Sequence, residues 1–75
     1  MQIGDLVDAL RKAYTGAPKG EQSTAVHLFG IRYAEQLEGA PINEIAVRAG
    51  LTEHWGTEIR KGMRLARHVE LKTGH

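Results

Sequence analysis

Near the start of the chain the apolar side chains Ile3, Leu6, Val7, Leu10 and Tyr14 fall three and four residues apart. That interval follows the 3.6-residue turn of an α-helix and lays all of them on one stripe, so the pattern predicts a helix over residues 3–14. Thr15, Gly16, Ala17, Pro18, Lys19 and Gly20 then break the pattern, because glycine and proline are poorly suited to a helix interior, and a loop is expected. The stripe resumes with Val26, Phe29, Tyr33 and Leu37, flanked by Ala25, Leu28, Ile31 and Ala34. Apolar residues here cover more than one face, which predicts a second helix over residues 22–37 that is the central and most buried one. Ser23 or Thr24 is expected to cap its start, and Gly39 stands where a left-handed C-terminal cap belongs. Gly30 costs about 1 kcal/mol against alanine in a helix interior, so its presence predicts close approach by another helix.

Pro41 suits the first turn of a helix, where its missing amide is not needed. Ile42, Ile45, Ala46 and Ala49 mark the inward side of a short third helix, which Gly50 stops, and Thr52 is expected to cap the next. Trp55, Ile59, Met63 and Ala66 recur at intervals of four, four and three, predicting a fourth helix from Glu53 to Ala66 whose other side carries Thr57, Arg60, Lys61 and Arg64. Beyond Arg67 the pattern alternates through Val69, Glu70 and Leu71, as in a short strand or extended tail. The expectation is an all-α, orthogonal four-helix domain with a short C-terminal extended segment.

A length of 75 residues supports one domain, spanning residues 1–75. A core this small leaves modest stability, so self-association is a standing expectation. The absence of cysteine removes disulfides and thiolate-rich zinc sites. Asp5 and Asp8 interrupt the apolar pattern of Met1 to Leu10, which fits neither a signal peptide nor a membrane span and makes the cytoplasm the default location. The net charge of +1 argues against a protein that coats nucleic acid by electrostatics alone. Its distribution says more: Arg60, Lys61, Arg64 and Arg67 occur between positions 60 and 68 without a carboxylate. That segment is suited to face phosphate.

The most specific pattern runs from Pro41 through Ile42, Asn43, Glu44, Ile45, Ala46, Val47, Arg48, Ala49, Gly50 and Leu51 to Thr52. It resembles the helix-turn-helix of small bacterial and phage DNA-binding domains. In that motif a small residue allows tight crossing of the two helices, a glycine turns the chain through a left-handed conformation, and an apolar residue plugs the turn. Ala46, Gly50 and Leu51 match those roles, Thr52 the cap of the second helix, and Ile59 its inward aliphatic. Gly56 departs from the pattern, which usually buries an aliphatic residue there. The resemblance implies a DNA-binding module, a transcriptional regulator or accessory domain, with double-stranded DNA as partner. Its second helix would enter the major groove, with His54, Thr57, Glu58 and Lys61 toward the bases and Arg48, Arg60, Arg64 and Arg67 toward phosphates. Thr52 would sit at the helix start beside them. The alternative is a protein-interaction or homodimerisation module of the same fold, its interface on helix one or near Val69 and Leu71.

Other chemistry is weakly represented. Only His54 and Glu58 have the helical spacing of two metal ligands, short of the three or four zinc requires, so neither metal nor cofactor is expected. Ser23 and His27 are the nearest nucleophile and base, but they share one helix with no evident third partner in the sequence, and no enzyme activity or small-molecule substrate is expected. His27 reads as a partly buried core histidine, and Trp55, Phe29 and Tyr33 as core residues first.

Overall fold

The computed structural model describes residues 2–71, and in them the chain forms five α-helices and no strand. These are α1 (Ile3–Thr15), α2 (Gln22–Arg32), α3 (Ala34–Leu37), α4 (Ile42–Arg48) and α5 (His54–Leu65). In α1 the backbone N–H of Gln2 donates to the Asp5 carboxylate at 3.1 Å, half of a capping box that also places negative charge at the positive end of the helix dipole. The stripe read from the sequence turns inward as expected, with Leu6, Val7 and Leu10 buried and Ile3 and Tyr14 packed at its edge.

The expected second helix, residues 22–37, divides at Tyr33, whose backbone (φ −108°, ψ 22°) leaves the helical range. Helical hydrogen bonding still reaches into and out of the bend, from Tyr33 N–H to the Phe29 carbonyl at 3.0 Å and from Leu37 N–H to the Tyr33 carbonyl at 2.8 Å. The result is a kink that leaves the apolar stripe unbroken, with Leu37 fully buried and the Tyr33 ring packed on Phe29 at 5.2 Å. Neither Ser23 nor Thr24 caps α2; the helix starts earlier, with Glu21 at the cap position and no side-chain cap bond.

A single cluster of buried side chains joins the elements, with Leu6, Leu10, Val26, Leu37, Ile45 and Ile59 its largest fully buried members. Helix α5 rests on α2, α3 and α4, while α1 lies against α2 and α4. The crossing of α2 over α5 is unusually close. A Cβ placed on Gly30 would overlap the Ile59 carbonyl oxygen and lie 3.0 Å from the Gly62 Cα, and one placed on Gly62 would overlap the His27 carbonyl oxygen. The approach predicted from Gly30 is therefore a contact between two backbones.

The end of α4 is a Schellman turn. Gly50 adopts φ 91°, its N–H donates to the Val47 carbonyl at 3.0 Å, and the Leu51 N–H reaches back to the Ala46 carbonyl at 3.0 Å. Residues with a Cβ are strained at such a φ, which is why a glycine stands there. Leu51 packs against the core just beyond it, plugging the turn. Beyond Arg67, of the two forms expected, the short strand does not form among the described residues: residues 66–68 make a turn, and 69–71 have no regular structure. Alternating apolar residues alone are insufficient where no second strand lies alongside to accept backbone bonds.

Candidate nucleic-acid interface

Helix α5 divides into two faces. Gly56, Ile59 and Gly62 are buried, and Trp55 and Met63 pack beside them against the core. Trp55 meets Tyr14 edge-on, ring centroids 5.2 Å apart and planes at 80°, so its ring serves the junction of α1 with α5. On the solvent side His54, Thr57, Arg60, Lys61 and Arg64 are all exposed. At 3.6 residues per turn they occupy an arc of roughly 120°. Thr52 is exposed just before the helix and Arg67 just after it, so seven of the eight residues expected at the site line up along α5 or at its ends. Arg48 is set apart on α4, where its guanidinium pairs with Glu44 at 3.8 Å and its carbonyl accepts from Arg11 at 2.9 Å.

Two expectations fail locally. Thr52 does not cap α5 through its hydroxyl; Glu53 occupies the cap position, and the first turn is closed by backbone bonds from Trp55 N–H to the Thr52 carbonyl at 3.0 Å and from Gly56 N–H to the Glu53 carbonyl at 2.8 Å. Glu58 does not face outward with the candidate base contacts. Its side chain is 15% exposed and its Oε1 lies 2.7 Å from His27 Nε2 on α2, while Oε2 accepts from Lys61 Nζ at 3.3 Å. The hydrogen bond from His27 holds the Glu58 carboxyl below its ordinary value; partial burial opposes this, and Lys61 reinforces it. The carboxylate expected toward the bases is thus drawn toward α2. Glu53 is left as the exposed carboxylate of the α5 segment.

Further along, Arg60, Arg64 and Arg67 line one shallow depression with Met63 and Glu38. Arg60 is also held from below: its Nη1 donates to Asn43 Oδ1 of α4 at 3.1 Å. The departure at Gly56 is explained by the same contact, since a Cβ there would overlap the Asn43 amide oxygen. Sequence reasoning missed Asn43, although a glycine replacing the usual aliphatic residue was the signal that something else fills the space. Of the remaining candidates, Ser23 is exposed and His27 Nε2 is engaged with Glu58. Among the described residues no group of three or more His, Cys, Asp or Glu is placed to hold a metal ion, and no helix is long and apolar enough to cross a membrane.

The model of one protein family, described as an HTH-like domain, matches residues 2–72. No curated protein and no solved structure gives a significant match. The match takes in all five helices, the glycine turn and the basic face of α5, and it makes the chain a member of the HTH-like domain family.

Proposed function

We propose that this chain is a DNA-binding module, a transcriptional regulator or the accessory domain of one, that presents α5 to the major groove of duplex DNA. The observation that carries this reading is the exposed arc of α5, where Arg60 and Arg64 stand with Lys61 while Glu58 is shared between Lys61 and His27 of α2. A groove about 12 Å wide admits a helix about 10–12 Å across. His54, Thr57 and Lys61 are assigned to base edges because they lie along one side of the arc, beginning in the first turn. Arg60, Arg64 and Arg67 are assigned to phosphates, with Arg48 a further backbone contact from α4. The competing partner is a second copy of this chain, for which the exposed apolar side chains Leu65 and Val69 speak. The charged character of the α5 arc favours the nucleic acid.

Phosphate contacts by Arg60, Arg64, Arg67 and Arg48 give a slope of log affinity against log salt of about −3.6, hence a roughly 150-fold loss between 50 and 200 mM salt. Alanine at Arg60, Arg64 or Arg67 should each lower that slope by about 0.9 on any sequence, whereas Thr57→Ala and Lys61→Ala should change the preference among sequences. An NMR titration with a short mixed-sequence duplex at low salt should move the amides of residues 41–68. Amides that stay in place at millimolar duplex, or shifts confined to α1, would exclude this function and leave protein interaction in its stead.

A further inference from the structure

We infer that Asn43 is a positioning residue, holding Arg60 ready for a phosphodiester of the DNA backbone; this rests on the duplex-binding reading above. The bond from Arg60 Nη1 to Asn43 Oδ1, at 3.1 Å, joins the two helices of the helix-turn-helix. It exists because position 56 has no side chain. A Cβ there would overlap the Asn43 oxygen and lie 3.3 Å from Arg60 Nη1, so amide, guanidinium and glycine are nested together. A buried aliphatic residue at position 56, as in the motif this segment resembles, would push the amide out.

The contact lies at the surface, where a hydrogen bond of this kind returns little stability. Its physical effect is on the freedom of a long side chain. An arginine held in place before binding has less rotamer entropy to lose when it meets its ligand. The free groups of this pair are donors. With Oδ1 accepting from Arg60, the Asn43 Nδ2 remains a donor, and the rest of the guanidinium offers further N–H groups. Donors from two helices around one positive charge fit an anion with several acceptor oxygens, which on duplex DNA is the phosphodiester. The neighbouring Arg64 and Arg67, around the same depression as Arg60, extend the row along the strand.

The test is fluorescence anisotropy on two duplexes of unrelated sequence, across a salt series, with wild type, Asn43→Ala, Arg60→Ala and the double variant. Asn43→Ala should weaken binding to both duplexes about three- to tenfold with the salt slope retained, because no charge is lost. Arg60→Ala should lower the slope by about 0.9, and the double variant should bind like Arg60→Ala alone. Gly56→Ala, which displaces the amide while keeping both partners in the sequence, should reproduce the Asn43→Ala loss. In the free protein, the Arg60 guanidinium ¹⁵N–¹H signals should be distinct in wild type and averaged in Asn43→Ala. Circular dichroism should show native helix in every variant. Wild-type affinity in Asn43→Ala, losses that multiply in the double variant, or a loss confined to one sequence would overturn the inference while duplex binding stands. Failure of wild type to bind either duplex would overturn both.

Discussion

Replacing Gly30 with alanine sets two well-measured effects against each other. Alanine is the better helix former by about 1 kcal/mol, and on that ground alone the variant should be more stable. The new methyl group would overlap the Ile59 carbonyl oxygen and stand 3.0 Å from Gly62 Cα and 3.1 Å from the Met63 nitrogen. All three are backbone atoms of α5, which no rotamer change can move aside, so the two helices must separate by about 1 Å. A gap of that size forfeits a quarter to a half of the dispersion energy between facing atoms. Val26, Phe29 and Ile59, 0%, 3% and 0% exposed, are the core side chains of α2 and α5 most affected. Burial of each contributes about 1.5–3 kcal/mol, so the loss is about 2–4 kcal/mol and the net destabilisation about 2 kcal/mol after the propensity gain. For a domain of this size that lowers the melting temperature by about 8–16 °C. Thermal unfolding followed by circular dichroism measures it. Gly4→Ala, at an exposed position on α1 with nothing within 4 Å of the added carbon, supplies the control and should be neutral or slightly stabilising. Gly62→Ala should resemble Gly30→Ala, and the double variant should lose less than the sum, because the helices need separate only once. Gly30→Ala melting at or above the wild-type temperature would refute the reasoning.

Two other outcomes are expected from the same geometry. The Glu58 carboxyl is held below its ordinary value of 4.5, so between that value and the lower folded-state one the unfolded chain binds more protons; the His27 and Lys61 contacts therefore stabilise the fold above about pH 4.5 and are lost as pH falls through the lowered value. Urea denaturation from pH 7 to pH 3 should show a steeper acid decline for wild type than for Glu58→Gln, and parallel curves would exclude the linkage. Leu10→Ala and Ile45→Ala each empty a fully buried site and should cost about 2–5 kcal/mol, enough to leave much of so small a domain unfolded; wild-type melting in both would mean the core is misassigned.

What the sequence disclosed was chiefly local. The stripe of α1, the turn at Gly50 with Leu51 behind it, and the close approach at Gly30 all follow from spacing and from what glycine permits within a few residues. The bend at Tyr33 was hidden because Phe29, Tyr33 and Leu37 keep helical spacing straight through it, and the hydrogen bonds entering and leaving the bend persist. Thr52 has the right side chain for a cap, yet the chain enters α5 with Glu53 already in helical geometry, which leaves the hydroxyl without that task. At the site, the exposed arc of α5 was legible because its inward partners Trp55, Ile59 and Met63 repeat with helical period. The partners of Glu58 and Arg60 were not. His27 lies 31 positions before Glu58, and Asn43 lies 17 before Arg60, so each pairing depends on how α2 and α4 are laid against α5.

Because Gly62 lays the main chain of α5 directly on that of α2 beside the buried Ile59, the seat of that helix lies wholly on its inward side. Seating and display are consequently separable. The residues at 54, 57 and 61 can be exchanged for others without altering how α5 is docked, so one scaffold can carry many outward surfaces. A helix transplanted from elsewhere with a bulkier residue at position 62 would carry its surface intact and find no seat against α2.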